Sequence, residues 1–202
     1  MTNYEYIIAS LPDITPDERR QSAIDARTIL QDILEQCNRS DKALVEFLLK
    51  GLTMDPAMDK EDFYSEAVSH PDAFIRRWFS FDLMVRNAKV RYLNAALGRP
   101  EGKDIVQAEG AEEDPGELKA IKDILSGDDM LGRERALDDA YWKMAEESVM
   151  TDIFTIDIIL SFIARLHIVD RWLSLDEAAG REMFRTLVQE VRGSYAGVQY
   201  NG

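Results

Sequence analysis

The stretch DAFIRRWFSFDLMVRNAKVRYLNAAL, from Asp72 to Leu97, decides the fold of this chain. Read as one helix, it presents two apolar seams on different faces, whereas a surface helix presents one apolar stripe. The first seam consists of Phe74, Trp78, Phe81, Val85, Ala88, Tyr92 and Ala95, and the second of Phe79, Leu83, Val90, Leu93 and Leu97. A helix of 26 residues spans about 39 Å. We therefore expect a central helix that is packed on two sides.

A second long helix is expected from Asp152 to Leu173. Thr151 and Asp152 are residue types that cap helix N-termini. The stretch that follows them is apolar nearly all round, which is typical of a buried helix. The two long helices predict an all-α fold, an irregular helical bundle that forms a single domain over residues 1–202. The predicted core residues on the two helices are Trp78, Phe81, Val85, Phe162 and Leu166.

Shorter helices are expected around this pair. Two capping boxes, at residues 15–18 and 174–177, predict helices that run to about residues 37 and 191. The segment 4–12 is expected to be extended or irregular, because the residue before a proline is biased away from the helical region. Further short helices are predicted near residues 40–51, 61–69, 118–125 and 133–150.

Residues 100–116 differ in composition from the rest of the chain. They contain three glycines, two prolines and six acidic residues against Lys103, which gives a net charge of −5. Such a segment buries too little apolar surface to offset the entropy lost on ordering. We expect a mobile acidic loop that joins two halves of the bundle, with an acidic docking arm as the alternative.

Charge and composition exclude several classes of partner. The formal net charge is −14 and the pI is about 4.6, which argues against nucleic acid and anionic membranes as partners. The single cysteine, Cys37, cannot form an internal disulfide. No stretch approaches the ~20 apolar residues of a membrane span. We expect a cytoplasmic protein, peripheral to the inner face of the membrane if it belongs to a membrane complex.

Motifs with fixed catalytic or ligand spacing are absent from the sequence. It contains no Gly-rich phosphate loop, no Gly-x-Ser-x-Gly, no Cys-x-x-Cys and no His-Glu-x-x-His. Of the two histidines, His167 is expected to pair with Asp170 at the edge of the core, with a catalytic base as the alternative. The sequence therefore predicts no enzyme, no metal, no cofactor and no small-molecule substrate.

Polar residues interrupt the apolar surfaces of both long helices. They are Asp82, Arg86 and Asn87 in the first helix, and Asp157, Ser161 and Arg165 in the second. Paired acids and bases inside a bundle usually satisfy one another and fix register. Packing is one interpretation of these residues, and contact with a ligand or partner is the other.

The first long helix also carries a basic strip in an acidic protein. Arg76, Arg77 and Lys89 are the candidate partner-binding residues of this strip, because complementary charge steers association. The alternative is that the strip pairs with Asp and Glu side chains of neighbouring helices.

Three stretches together resemble a known family. They are YEYIIASLPD at residues 4–13, residues 78–98 with Phe81-Asp82 and Arg86-Asn87-Ala88, and DIILSFIARLHIVDRW at residues 157–172. They resemble an uncharacterised bacterial family whose members are encoded among the subunits of V-type ATPases. Those members look like shortened counterparts of the V-type C subunit, which seats the rotor stalk on the membrane ring.

The resemblance implies a function and a set of partners. We expect a non-catalytic structural or coupling subunit that contacts the stalk and ring subunits of a V-type ATPase, without inserting into the membrane itself. The alternative is a free-standing helical adaptor or regulator. A small-molecule enzyme would need a convergent polar pocket, and a polar cavity with shifted carboxylate pKa values would indicate one.

Overall fold

The described part of the chain, residues 2–16 and 24–175 of a computed structural model, is an all-α bundle. No strand is found among these residues. The helices are α1 Tyr4–Ser10, α2 Ala26–Gln36, α3 Arg39–Leu52, α4 Lys60–Val68, α5 Ala73–Ala96, α6 Pro115–Leu125, α7 Met130–Glu147 and α8 Ile156–Leu173. The predicted fold class is confirmed.

The two long helices lie at the centre of the bundle. Helix α5 packs against α3, α4, α6 and α8, and α8 packs against α1, α2, α3, α5 and α7. Helix α5 has 24 residues and is therefore about 36 Å long. The predicted core is confirmed, since each of its five residues is at most 4% exposed. They are Trp78, Phe81, Val85, Phe162 and Leu166.

Both apolar seams of α5 are buried only as far as the fifth turn. Ala88 is still buried, but Leu93 is 54% exposed and Leu97 is 60% exposed. The last two turns of α5 therefore extend beyond the core and present apolar side chains at the surface.

The N-terminal segment is helical, so the predicted extended conformation is wrong. Asn3 caps α1 by accepting a hydrogen bond from the backbone N–H of Tyr6. Pro12 restricts only its neighbour Leu11, which is extended with ψ of 134°. The effect of the proline was therefore predicted correctly, but it restricts a single residue. The seven residues before Leu11 remain free to form a helix.

Two predicted helices are shorter than expected at their N-terminal ends. Residues 24 and 25 are not helical, so the predicted continuous helix up to residue 37 is wrong. Helix α2 begins at Ala26, where the Asp25 carboxylate accepts hydrogen bonds from the N–H groups of Arg27 and Thr28. Helix α8 begins at Ile156, because Phe154 has φ of 53° and breaks the helical backbone there. Residues 17–23 and the predicted last helix at 174–191, beyond Leu175, lie outside the described residues.

Two asparagines on one face of α5 hold the acidic loop along the helix. Asn87, which is buried, donates to the carbonyl of Val106 at 2.9 Å and accepts from its N–H at 3.1 Å. Asn94, seven residues on, donates to the carbonyl of Lys103 at 2.7 Å. Arg91 pairs with Glu113 at 2.8 Å. The first part of the loop, although exposed at residues 100–104, is therefore anchored, and an exposed stretch between the two anchors runs from Gln107 to Glu113.

We expect limited proteolysis to cut this exposed stretch first. A glutamate-specific protease should cleave after Glu109 or Glu112 before it cleaves after Glu101, whose carbonyl accepts from Asn94. Mass spectrometry of early digestion products measures the order. An Asn87→Ala variant should be cut faster, because its loop loses both bonds to Val106. First cleavage inside a helix would contradict the predicted mobility.

Candidate functional site

The basic strip of α5 is engaged by side chains and carbonyls of its own chain. Arg77 makes a bidentate pair with Glu117 of α6. The Lys89 ammonium lies 3.2 Å from the Glu134 carboxylate of α7. Arg76 is exposed and donates to the carbonyl of Pro71 at 3.3 Å. The structure thus brings together the strip and the acidic residues of the neighbouring helices, as in the second interpretation of the strip.

A groove of about 590 Å³ separates the strip from the acidic loop. Arg76, Arg77 and Phe81 line one side of this groove, and Glu112 and Glu113 line the other. The most basic face of α5 and the most acidic segment of the chain therefore lie opposite each other. The ion pairs of the strip itself are nevertheless made with Glu117 of α6 and Glu134 of α7.

The Arg77–Glu117 pair should contribute little to stability, because its side chains are 42% and 30% exposed. Exposed pairs contribute ~0.2–1 kcal/mol. In a double-mutant cycle of Arg77→Ala and Glu117→Ala, measured by urea denaturation, we expect a coupling energy below about 1 kcal/mol. A coupling above ~2 kcal/mol would show that the pair is buried in solution.

The polar residues in the middle of α5 form a structural cluster. The Asp82 carboxylate accepts a hydrogen bond from the hydroxyl of Tyr64 on α4 and a second one, at 2.7 Å, from the hydroxyl of Tyr141 on α7. Burial raises the pKa of both tyrosines, and the nearby Asp82 charge raises it further. The Nε atom of Arg86 is buried without a hydrogen-bond partner among the described residues. Asp82 therefore ties three helices together in one register.

A polar cavity of about 180 Å³ lies between α3, α5, α7 and α8. Asp138 and His167 line it. Burial raises the pKa of Asp138, although Arg171 and Trp172 donate hydrogen bonds to its carboxylate. Burial lowers the pKa of His167, so its imidazole is neutral at pH 7.

The charged groups at this cavity are paired within the chain. The Asp138 carboxylate is paired with Arg171, the Lys89 ammonium with Glu134, and Asp82 with two tyrosines. The predicted hydrogen bond between His167 and Asp170 is not found in the described part of the chain. The cavity is polar, as the site of an enzyme would be. Its charged side chains, however, are paired with other side chains of the same chain, as in a structural cluster.

The polar line on α8 does not form one site. The Ser161 hydroxyl donates to the carbonyl of Ala145 at 2.8 Å. Arg165 pairs with Glu146 at 3.0 Å. Asp157 lies near Asp72, and burial together with that neighbouring charge raises its pKa to about 6. Ser161 and Arg165 therefore fasten α8 to α7, whereas Asp157 lies beside the start of α5 without a basic partner there among the described residues. Residues 2–16 and 24–175 contain no cluster of three His, Cys, Asp or Glu side chains suited to a metal ion.

Exposed apolar side chains gather at both ends of the bundle, a feature that the sequence analysis missed. One group surrounds the C-terminal end of α5, where Arg133 of α7 donates to the Tyr92 hydroxyl at 3.0 Å. It consists of Tyr92, Leu93, Leu97, Met130 and Leu131. The other group is the α7–α8 turn, near the N-terminal end of α5. It consists of Met150, Ile153 and Phe154, with exposed fractions of 79%, 75% and 46%.

Comparison with known proteins gives a match to a family model over less than half of the chain. Residues 103–194 match a family described as protein of unknown function (DUF2764). No curated protein and no solved structure matches the chain. Within the described part of the chain, no helix is both long enough and apolar enough to cross a bilayer.

Proposed function

We propose that the protein is a non-catalytic subunit of a V-type ATPase that links the central stalk to the membrane ring. The specific complex comes from the sequence resemblance carried by residues 4–13, 78–98 and 157–172. The structural part of the proposal rests on one observation, the exposed apolar groups at opposite ends of α5.

A linking subunit must contact two bodies at a fixed separation. Exposed apolar side chains that form one contiguous patch mark protein–protein contact sites. Here Leu93 and Leu97 lie at the C-terminal end of α5, a helix about 36 Å long, and Ile153 and Phe154 lie on the turn beside its N-terminal end, where Asp157 is next to Asp72. Hydrogen bonds from Tyr64 and Tyr141 to Asp82 brace that helix midway. The geometry suits a stiff spacer with two contact ends.

The basic strip takes a smaller part in this proposal than the sequence indicated. Arg77 and Lys89 already bind carboxylates of their own chain, so a partner would have to displace Glu117 and Glu134. Of the three residues of the strip, Arg76 alone is exposed and has no carboxylate partner in the described part of the chain. The two apolar ends are therefore the first surfaces to test.

Affinity purification of the tagged protein from its native cell tests the proposal. We expect stalk and ring subunits of the ATPase to be recovered with it. A double variant, Leu93→Ser with Leu97→Ser, should lose one set of subunits and retain the other. A double variant at exposed α2 positions, Gln31→Ser with Glu35→Ser, serves as the matched control. Isolation of the protein alone, under conditions that keep the ATPase intact, would overturn the proposal.

The second candidate function is a free-standing helical adaptor. The same two apolar ends favour it, since an adaptor also joins two partners. Recovery of the same non-ATPase protein with the wild type and its loss from an end variant would establish this alternative.

A further inference from the structure

We propose that the α7–α8 turn is the docking surface for a basic, amphipathic helix of a partner protein. The surface consists of Met150, Ile153 and Phe154, bordered by the carboxylates of Asp152 and Asp157. The inference rests on the proposed linking function, for which it supplies the chemistry of one partner.

Three large apolar side chains are exposed within the five residues of the turn from Met150 to Phe154. Met150 and Ile153 are more than 70% exposed, although the chain has a continuous core nearby. Each fully buried side chain of this size gains roughly 1.5–3 kcal/mol from removal from water. The isolated chain does not obtain this free energy of burial at the turn, whereas a complex in which a partner covers the turn does.

The backbone of Phe154 adopts an unfavourable conformation. Its φ of 53° is in the left-handed region, which costs a residue with a bulky side chain about 1–2 kcal/mol. The turn is held by the N–H of Asp152, which donates to the carbonyl of Val149 at 3.0 Å, and by the Thr155 hydroxyl, which donates to the Asp152 carboxylate. The chain thus tolerates an unfavourable conformation that leaves a phenylalanine 46% exposed. Conformations of this kind cluster at functional sites.

The carboxylates around the turn indicate the charge of the partner. Asp152 and Asp157 border the turn, and Asp72 lies beside Asp157. None of the three has a basic side chain in ion-pair contact among residues 2–16 and 24–175. A partner with Lys or Arg next to its apolar face would complement these carboxylates, whereas an acidic partner would be repelled. An amphipathic helix presents apolar and basic residues side by side in this way.

Site-specific photo-crosslinking tests the inference in the cell. A photoreactive phenylalanine analogue replaces Ile153 in the full chain, and the same analogue at Leu131 is the matched control at the other end of the bundle. We expect position 153 to crosslink to a partner peptide that carries several Lys or Arg residues and an apolar face. Crosslinks to an acidic peptide, to lipid or to a second copy of this chain would overturn the inference.

A second variant separates loss of binding from loss of folding. Phe154→Gly removes the side chain and suits the left-handed backbone, so its thermal unfolding temperature should stay within a few degrees of the wild type. Its yield of the position-153 crosslink should fall at least tenfold, while crosslinking from position 131 should stay unchanged. An unchanged yield at position 153 would contradict the docking surface.

The outcomes for the two proposals are distinct. Recovery of ATPase subunits with no crosslink at position 153 would remove the docking surface and keep the linking function. A crosslink from position 153 to a basic helix of a protein outside the ATPase would keep the surface and remove the ATPase assignment.

Discussion

Replacing Phe81 by alanine should lower the free energy of unfolding by about 3–5 kcal/mol. The Phe81 side chain is 4% exposed, and its ring meets that of Tyr141 edge to face with centroids 5.1 Å apart. The Arg77 guanidinium carbon lies 5.9 Å from the centroid of the Phe81 ring. Truncation would leave a cavity where α5 meets α7. Urea denaturation monitored by circular dichroism measures the loss.

The matched control is Leu93→Ala on the same helix. Leu93 is 54% exposed, so its truncation should cost less than about 1 kcal/mol. Phe162→Ala on α8, where Phe162 is 4% exposed, should behave like Phe81→Ala. A cost below ~1 kcal/mol at either phenylalanine would show that the site is open to solvent, contrary to the structure.

The second large effect is a steep loss of stability in alkaline solution. Burial and the Asp82 charge raise the pKa of Tyr64 and Tyr141 well above the usual value near 10. Above pH ~10 the unfolded chain loses these protons while the folded chain keeps them, so the stability they contribute is present below that pH and is lost above it. These two tyrosines should make the free energy of unfolding fall by about 3 kcal/mol per pH unit, and Tyr4, whose pKa is raised to about 12 by burial and by Asp41, steepens the fall further.

A Tyr64→Phe variant tests the origin of this slope. It removes one of the titrating hydroxyls, so the slope above pH ~10 should become shallower by about 1.4 kcal/mol per pH unit. Tyr92→Phe, which changes a tyrosine that is 39% exposed, is the control and should keep the slope of the wild type. Equal slopes in the wild type and Tyr64→Phe would mean that Tyr64 is accessible to solvent.

The fold could be predicted from the sequence where a long pattern repeats. The spacing of Phe74, Trp78, Phe81 and Val85 continues over several turns, so the period of the helix is unambiguous. Helix starts depend on single residues. Asn3 and Asp25 each cap a helix through a single side chain. At Phe154 the backbone is left-handed although the residue is not a glycine, so the sequence gives no signal of this break.

The candidate site was predictable only in part. The sequence identified Arg77 and Lys89 as notable cations and left their partners open, because Glu117 and Glu134 are 40 and 45 residues away along the chain. Pairings over such separations arise from tertiary packing. Asn87 and Asn94 did carry a signal, since two amides seven residues apart share one face of a helix. The exposed apolar groups at the two ends of the bundle carried no sequence signal, because apolar residues in a helical pattern normally predict burial.

The asparagine anchors of the acidic loop also make the chain suitable for the insertion of foreign sequence. Upstream, Val106 is hydrogen-bonded to Asn87, and downstream, Glu113 is paired with Arg91, so both ends of the intervening stretch are fixed to α5. Gly110, midway, has φ of 81° and no neighbouring atom within 4 Å of a Cβ position. Doubling the length of a flexible loop costs only ~0.6 kcal/mol in closure entropy. An epitope or a fluorescent domain placed after Gly110 would therefore report on the protein in its assembly while leaving the helices and both apolar ends unchanged.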